Sequence, residues 1–189
     1  MIPTFDQVML VTSQISASPA LEDTEAKGLY DCLALVPYNG IVIEVGCQLG
    51  RSSSIIAQLA SAIGFHAIHI DPYTDDPEYL PRWVEMMRRV NSQFVLACMM
   101  TEQTEWLLPM IGGIDLAFID GDHEAIAVTT DLMLVAEQLR SGGYLCCHDY
   151  GNPGLLGVAE AVDEYIADSL IDPFDAVGVF GSLGVWKRR

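Results

Sequence analysis

The stretch from Ile41 to Ser54 constrains the fold more than any other. A mostly apolar run, Ile41-Val42-Ile43-Glu44-Val45, stops at Gly46; Gly50 follows, and Ser52-Ser53-Ser54 lead into Ile55, Ile56, Leu59 and Ile63 at helical spacing. That pattern predicts a buried strand, a tight glycine turn and a helix start. Without a side chain at the turn, a ligand can lie against bare backbone. The unpaired N–H groups of the new helix then point at that ligand. Gly46, Cys47, Gly50 and Ser52 are therefore the first candidate binding residues.

The rest of the chain repeats the alternation. Strands are predicted at Ile41–Val45, His66–Ile70, Gln93–Cys98, Ile114–Ile119 and Tyr144–Cys147. Helices are predicted at Ser52–Ile63, from Asp76-Pro77 to about Val90, around Glu102–Leu108, along Val128, Leu132, Val135 and Leu139, and along Leu155, Val158, Val162, Tyr165 and Ile166. Gly142-Gly143 is read as the break after the fourth of these. Strand runs without polar alternation imply a parallel sheet covered on both faces. The end differs: Phe174–Phe180 and Leu183–Lys187, joined by Gly181-Ser182, read as a hairpin whose last strand is antiparallel. The fold class is thus α/β, a Rossmann-like doubly wound, mostly parallel seven-stranded sheet with a C-terminal antiparallel hairpin.

Two helices precede it. Thr4 and Gln7 have capping-box spacing, with Phe5, Val8, Met9, Thr12 and Ile15 behind them. Ser18-Pro19 marks a second helix start, carried by Leu29, Cys32, Leu33 and Val36 to Pro37. Residues 1–38 are read as a helical cover and 39–189 as the core of one domain. The cover has three open roles: shielding a sheet edge, roofing the site, or forming a homodimer contact.

Charge narrows the partners. The formal net charge is -17, which repels phosphate backbones and argues against nucleic acid. The basic end Lys187-Arg188-Arg189 is read as a solvated tail. The start lacks a basic segment followed by an apolar one, and no run is long enough to span a bilayer; a cytoplasmic chain is expected. Cys32, Cys47, Cys98, Cys146 and Cys147 show no C-x-x-C spacing and are read as reduced thiols, mostly buried.

In open α/β sheets ligands bind beyond the carboxyl ends of the strands. Gly46, Asp71, the Met99–Thr101 region, Asp120 and His148-Asp149 sit at those ends. Asp71, about 25 residues after the turn, suits a bidentate bond to ribose hydroxyls. Glu44 either holds an ammonium group or is a buried, partnered carboxylate. Asp120, His148 and Asp149 end neighbouring strands, where two carboxylates repel unless a cation sits between them. A divalent metal is one solution; helix and turn caps are the other. His123 is either a general base or a capping residue. His66 and His69 are read as structural; Trp83 and Trp106 either shape a substrate or adenine pocket or pack in the core, and are read as core.

Together these residues resemble the class I S-adenosylmethionine-dependent methyltransferases, in particular the small sugar- and antibiotic-type and catechol-type O-methyltransferases. The likeness rests on Ile43 to Ser52, on Asp71, on Phe118-Ile119-Asp120-Gly121-Asp122-His123 and on Gly142 to Tyr150, in that order. The resemblance implies that Glu44, Gly46 and the turn hold the methionine part of the cofactor. Asp71 would hold the ribose, with Met100-Thr101 beside the adenine. Asp120 would be both a cofactor-binding and a catalytic residue, and Asp120, His148 and Asp149 would be ligands for magnesium or manganese. Relatives often carry a carboxylate or amide pair where this chain has His148-Asp149. The reaction implied is methyl transfer to a hydroxyl of a small sugar or phenol, with His123 or His148 taking the proton. Two rivals stand beside it: a nicotinamide-dependent oxidoreductase, whose usual three-glycine turn is absent here, and a non-catalytic nucleoside-binding module.

Overall fold

The computed structural model describes residues 1–16, 20–74, 76–90, 94–168 and 173–189. Seven strands form one sheet: β1 (Ile41–Val45), β2 (His66–Ile70), β3 (Val95–Ala97), β4 (Ile114–Ile119), β5 (Leu139–Cys147), β6 (Phe174–Phe180) and β7 (Leu183–Arg188), in the order β3-β2-β1-β4-β5-β7-β6. The first five strands pair in parallel, and β7 is antiparallel to both β5 and β6. The chain thus winds outward from β1 in one direction and from β4 in the other. Their junction is the switch point at which such sheets bind ligands.

Helices α1 (Phe5–Ile15), α2 (Asp23–Leu33) and α3 (Arg51–Ile63) cover one face, burying Val8, Leu29, Leu33 and Ile56 against Val42, Leu116 and Phe118. α6 (Ala125–Val135) and α7 (Leu156–Asp168) cover the other, burying Leu132 and Val162 against Ile43, Ala117 and Leu145. Successive residues of each central strand enter opposite cores, which is why those strands read as nearly continuous apolar runs. α4 (Tyr79–Val90) packs on α3 through Trp83, Met86 and Met87, and a short α5 (Leu108–Ile111) leads into β4. No described helix is long and apolar enough to cross a membrane.

Several local expectations need correcting. The start expected at Ser18-Pro19 lies outside the described residues; α2 begins at Asp23 and ends at Leu33, short of Pro37. Gln93 is likewise outside the described residues. The helix expected over Glu102–Leu108 is a 3-10 turn, Thr101–Thr104, followed by α5. Gly142-Gly143 does not end a helix. β5 already starts at Leu139, and the glycines sit in a bulge where its register against β4 slips. A Cβ on Gly143 would lie 3.0–3.2 Å from three backbone oxygens, so the bulge needs glycine. The basic end is not a loose tail: Arg188 lies in β7 and donates to the carbonyls of Glu137 and Leu139. Trp83 is fully buried as expected, but Trp106 is 67% exposed. Four cysteines are buried and Cys98 is exposed.

Candidate active site

The turn after β1 is built for close approach. Gly46 has φ +82°, and a Cβ there would lie 1.8 Å from the backbone oxygen of Asp120 at the end of β4. Any other residue would push the two central strand ends apart. Gly50, also at φ +82°, caps α3, and its Cβ would strike Met86. This glycine admits α4 rather than a ligand, and it is not part of the cavity wall.

Asp71 reaches back from the end of β2 to brace the turn. Its Oδ2 accepts from the N–H groups of Cys47 (2.7 Å) and Gln48 (3.0 Å), and its Oδ1 from Tyr73 N–H (2.7 Å). A carboxylate offers about four acceptor positions, so roughly one remains, on Oδ1. A single bond to a ribose hydroxyl is available in this conformation, and the bidentate grip expected from the sequence is not.

Glu44 also departs from expectation. It is fully buried, facing α3 rather than the cavity. Ser52 donates to its Oε1 (2.5 Å), while Ser53 (2.7 Å) and the Nδ1 of His69 (2.5 Å) meet its Oε2. Trp83 Nε1 in turn donates to Ser53 Oγ at 2.8 Å. The carboxylate ties β1, β2, α3 and α4 together beneath the turn, and its full burial away from the cavity keeps it from an ammonium group there.

Above the turn lies a cavity of about 470 Å³, within the usual range for small-molecule sites. Gly46, Cys47, Ser52 and Asp71 line one wall; Asp120, His123, His148 and Asp149 line the other; Met100 and Thr101 close one end. Of the residues expected to bind cofactor, bind metal or act in catalysis, Glu44 and Gly50 stay out of the wall.

The second wall is an ordered acid–histidine network. His148 Nδ1 lies 3.0 Å from Asp120 Oδ1 and 3.1 Å from Asp149 Oδ2, and its Nε2 lies 3.1 Å from Glu25 Oε2. His123 Nε2 meets Asp149 Oδ2 at 3.1 Å, and Asn152 donates to Asp149 Oδ1 at 2.8 Å. Burial opposes charge on His148, but its bonds to Asp120 and Asp149 win and push its pKa up to about 11. The bonds from His123 and His148 hold Asp149 well below the usual carboxylate range. Burial raises Asp120, partly offset by His148. The bond to Asp149 raises His123.

This geometry revises two expectations for His148. A ring nitrogen facing carboxylate oxygens donates to them, so both nitrogens carry hydrogen. Such a ring has no lone pair either for a metal or for an incoming proton. His148 is therefore neither a ligand nor the general base in this arrangement. Asp120, His123 and Asp149 do offer three donor atoms within 4.8 Å of one another. However, the Asp120 and Asp149 oxygens that meet Nδ1 are already shared with an N–H group. The donor set as it stands does not fit a divalent ion.

Two residues of the site were missed in the sequence, one behind the wall and one in it. Glu25 comes from α2, and its Oε1 accepts from Ser182 N–H (3.0 Å) and Oγ–H (2.7 Å) in the β6–β7 turn. Its Oε2 accepts from Glu22 N–H at 2.7 Å as part of a capping box, the one signal visible in the sequence. Burial pushes its pKa up, but the bonds from Ser182, the Glu22 N–H and His148 together outweigh burial and lower it. Asp131 lines the cavity from α6. Burial, relieved in part by a bond from Thr101, raises its pKa to about 6. An acid on the stripe Val128, Leu132, Val135 was the available clue.

The Methyltransferase domain family profile matches residues 43–150. No curated protein sequence matches the chain. Among solved structures, the O-methyltransferase NovP superposes with a TM-score of 0.70 at 16% identity, covering 97% of each chain. The O-methyltransferase from Bacillus cereus, in complex with SAH, gives 0.68 at 16%, covering 100% of this chain and 92% of that one. CalS11, a TDP-rhamnose 3'-O-methyltransferase of calicheamicin biosynthesis, gives 0.66 at 14%, covering 99% and 96%. At these identities the structural likeness is one of fold.

Proposed function

The chain belongs to the methyltransferase-domain family, and from that premise we propose that it transfers a methyl group from S-adenosylmethionine to a hydroxyl of a small molecule, a sugar or a phenol. It is a class I S-adenosylmethionine-dependent methyltransferase. The choice of oxygen as acceptor draws on the O-methyltransferases of the same fold. The acidic surface suits a small acceptor better than nucleic acid.

One observation carries the reading: the Asp71-braced turn and the His123–Asp149 pair face one cavity at the sheet's switch point. The turn backbone and Asp71 would hold the cofactor's methionine and ribose portions, with Met100 and Thr101 beside its base. When bound, the cofactor supplies an electrophilic methyl group on a sulfonium centre. The chain's own task is to hold the acceptor hydroxyl in line and remove its proton. Neutral His123 donates Nε2–H to Asp149, which leaves Nδ1 to take that proton. Asp149 stays ionised and stabilises the resulting imidazolium. No step calls for a metal. The base must be neutral to act, so turnover rises with pH through a His123 pKa lying above 6.5.

Incubation with S-adenosylmethionine labelled at the methyl group, against a panel of sugar nucleotides and phenols, tests the proposal. Label in a product ether with matching S-adenosylhomocysteine release is expected. Label arriving only on nitrogen or carbon acceptors would contradict it.

A further inference from the structure

We propose that the His148 ring is a built-in cation standing where a metal-assisted enzyme of this reaction would place its ion, so that this site works without one. The inference rests on the reading above for its catalytic meaning, but its structural content is separate.

Three carboxylates, from Glu25, Asp120 and Asp149, converge on one ring that is 7% exposed. Like charges gathered in a partly dry wall repel strongly unless a cation lies among them. The ring satisfies that demand from within: Nδ1 faces Asp120 and Asp149, and Nε2 faces Glu25. The arrangement is braced from behind. Glu25 is fixed by Ser182 and by the Glu22 N–H, and Gly181 carries no side chain where a Cβ would lie 2.8 Å from Glu25 Cγ. Helix α2 and the β6–β7 turn therefore serve to orient one imidazole.

An ion placed on Asp120 Oδ1 and Asp149 Oδ2 would have to expel the Nδ1 hydrogen that both oxygens share. Until it did, it would face a positive ring at contact distance. The ring leaves Asp149 oriented toward His123, which carries the proton transfer alone. A carboxylate at position 148 would reverse this, joining Asp120 and Asp149 in an all-oxygen set suited to a hard divalent ion.

The test is titration of metal-free protein with Mn²⁺, read by electron paramagnetic resonance, and with Co²⁺, read by visible absorption. Wild type and His148→Asp are compared, with S-adenosylhomocysteine calorimetry on the same samples. Wild type is expected to bind neither ion at about 1 mM, and His148→Asp to gain one Mn²⁺ site at least about tenfold tighter. Stoichiometric Mn²⁺ or Co²⁺ binding by wild type overturns the proposal. So does a His148→Asp variant that binds the nucleoside yet gains no Mn²⁺. Should that variant not fold, ¹⁵N resonances of the wild-type ring decide: both nitrogens protonated at pH 7.5 supports the proposal, and a neutral ring overturns it. Loss of nucleoside binding in wild type would sink the methyltransfer reading alone, since the ion titrations do not depend on it.

Discussion

The turn wall of the cavity, Gly46, Cys47 and Ser52 with Asp71, comes from one strand–turn–helix unit and the end of the next strand. The acid wall gathers Asp120, His123, His148 and Asp149, with Glu25 behind His148, from separate parts of the chain. The first is held by backbone N–H groups closing on one carboxylate. The second is held by side chains that neutralise one another. A wall made of backbone is rigid and indifferent to modest charge changes. A wall made of paired charges depends on every partner, because removing one leaves the others buried and unpaired.

The largest expected effect joins the two walls. Gly46→Ala puts a Cβ into the Asp120 carbonyl at a positive φ. It should cost about 4 kcal/mol or more, read as collapse of the thermal transition. A variant of wild-type stability would mean the walls are not in such close contact. Next, His123→Ala should lower kcat by roughly 10²–10⁴ while leaving S-adenosylhomocysteine affinity nearly unchanged. Equal losses in both would place His123 in cofactor binding and erase the division of labour. The turn wall is probed by Asp71→Asn, whose single carbonyl oxygen can serve either Cys47 and Gln48 or Tyr73, leaving an NH2 group facing the other N–H. Nucleoside affinity should fall about tenfold to a hundredfold, roughly 1.4–2.8 kcal/mol by calorimetry.

The smallest effect concerns Asp131, whose burial raises its pKa to about 6 from the ordinary 3.8. Between those values the folded state binds more protons than the unfolded chain, so stability falls as pH rises through the window. Asp131→Asn removes that dependence. It should match wild type near pH 4 and exceed it by roughly 1–3 kcal/mol at pH 8, in denaturant melts. Equal stabilities at pH 8 would show that the carboxylate is satisfied when ionised.

The same contrast explains what could be read from the sequence. β1, the turn and α3 follow local rules, so Gly46 and the region of Asp71 were legible from spacing. The hairpin was legible because Gly181-Ser182 punctuates two apolar runs. Glu44 was half legible: the sequence shows a carboxylate in a buried strand, but its partners Ser52, Ser53 and His69 become visible only once β2 and α3 pack beside it. Glu25 was invisible as a partner of the site, since its pairing with His148 spans 123 positions and its capping-box spacing marks only a helix start. The need for a cation beside Asp120 and Asp149 was foreseeable from charge. That the chain meets this need with its own imidazole depended on where both ring nitrogens point. Gly142-Gly143 misled because two glycines mark a helix end and a strand bulge alike.

The central claim is that the cavity over the Asp71-braced turn receives the methyl-donor nucleoside. Calorimetric titration of wild type and Asp71→Asn with S-adenosylhomocysteine tests it most directly. The account predicts one site in wild type, weakened about tenfold or more in the variant. No heat in wild type at millimolar nucleoside, or equal affinity in the two proteins, would contradict it.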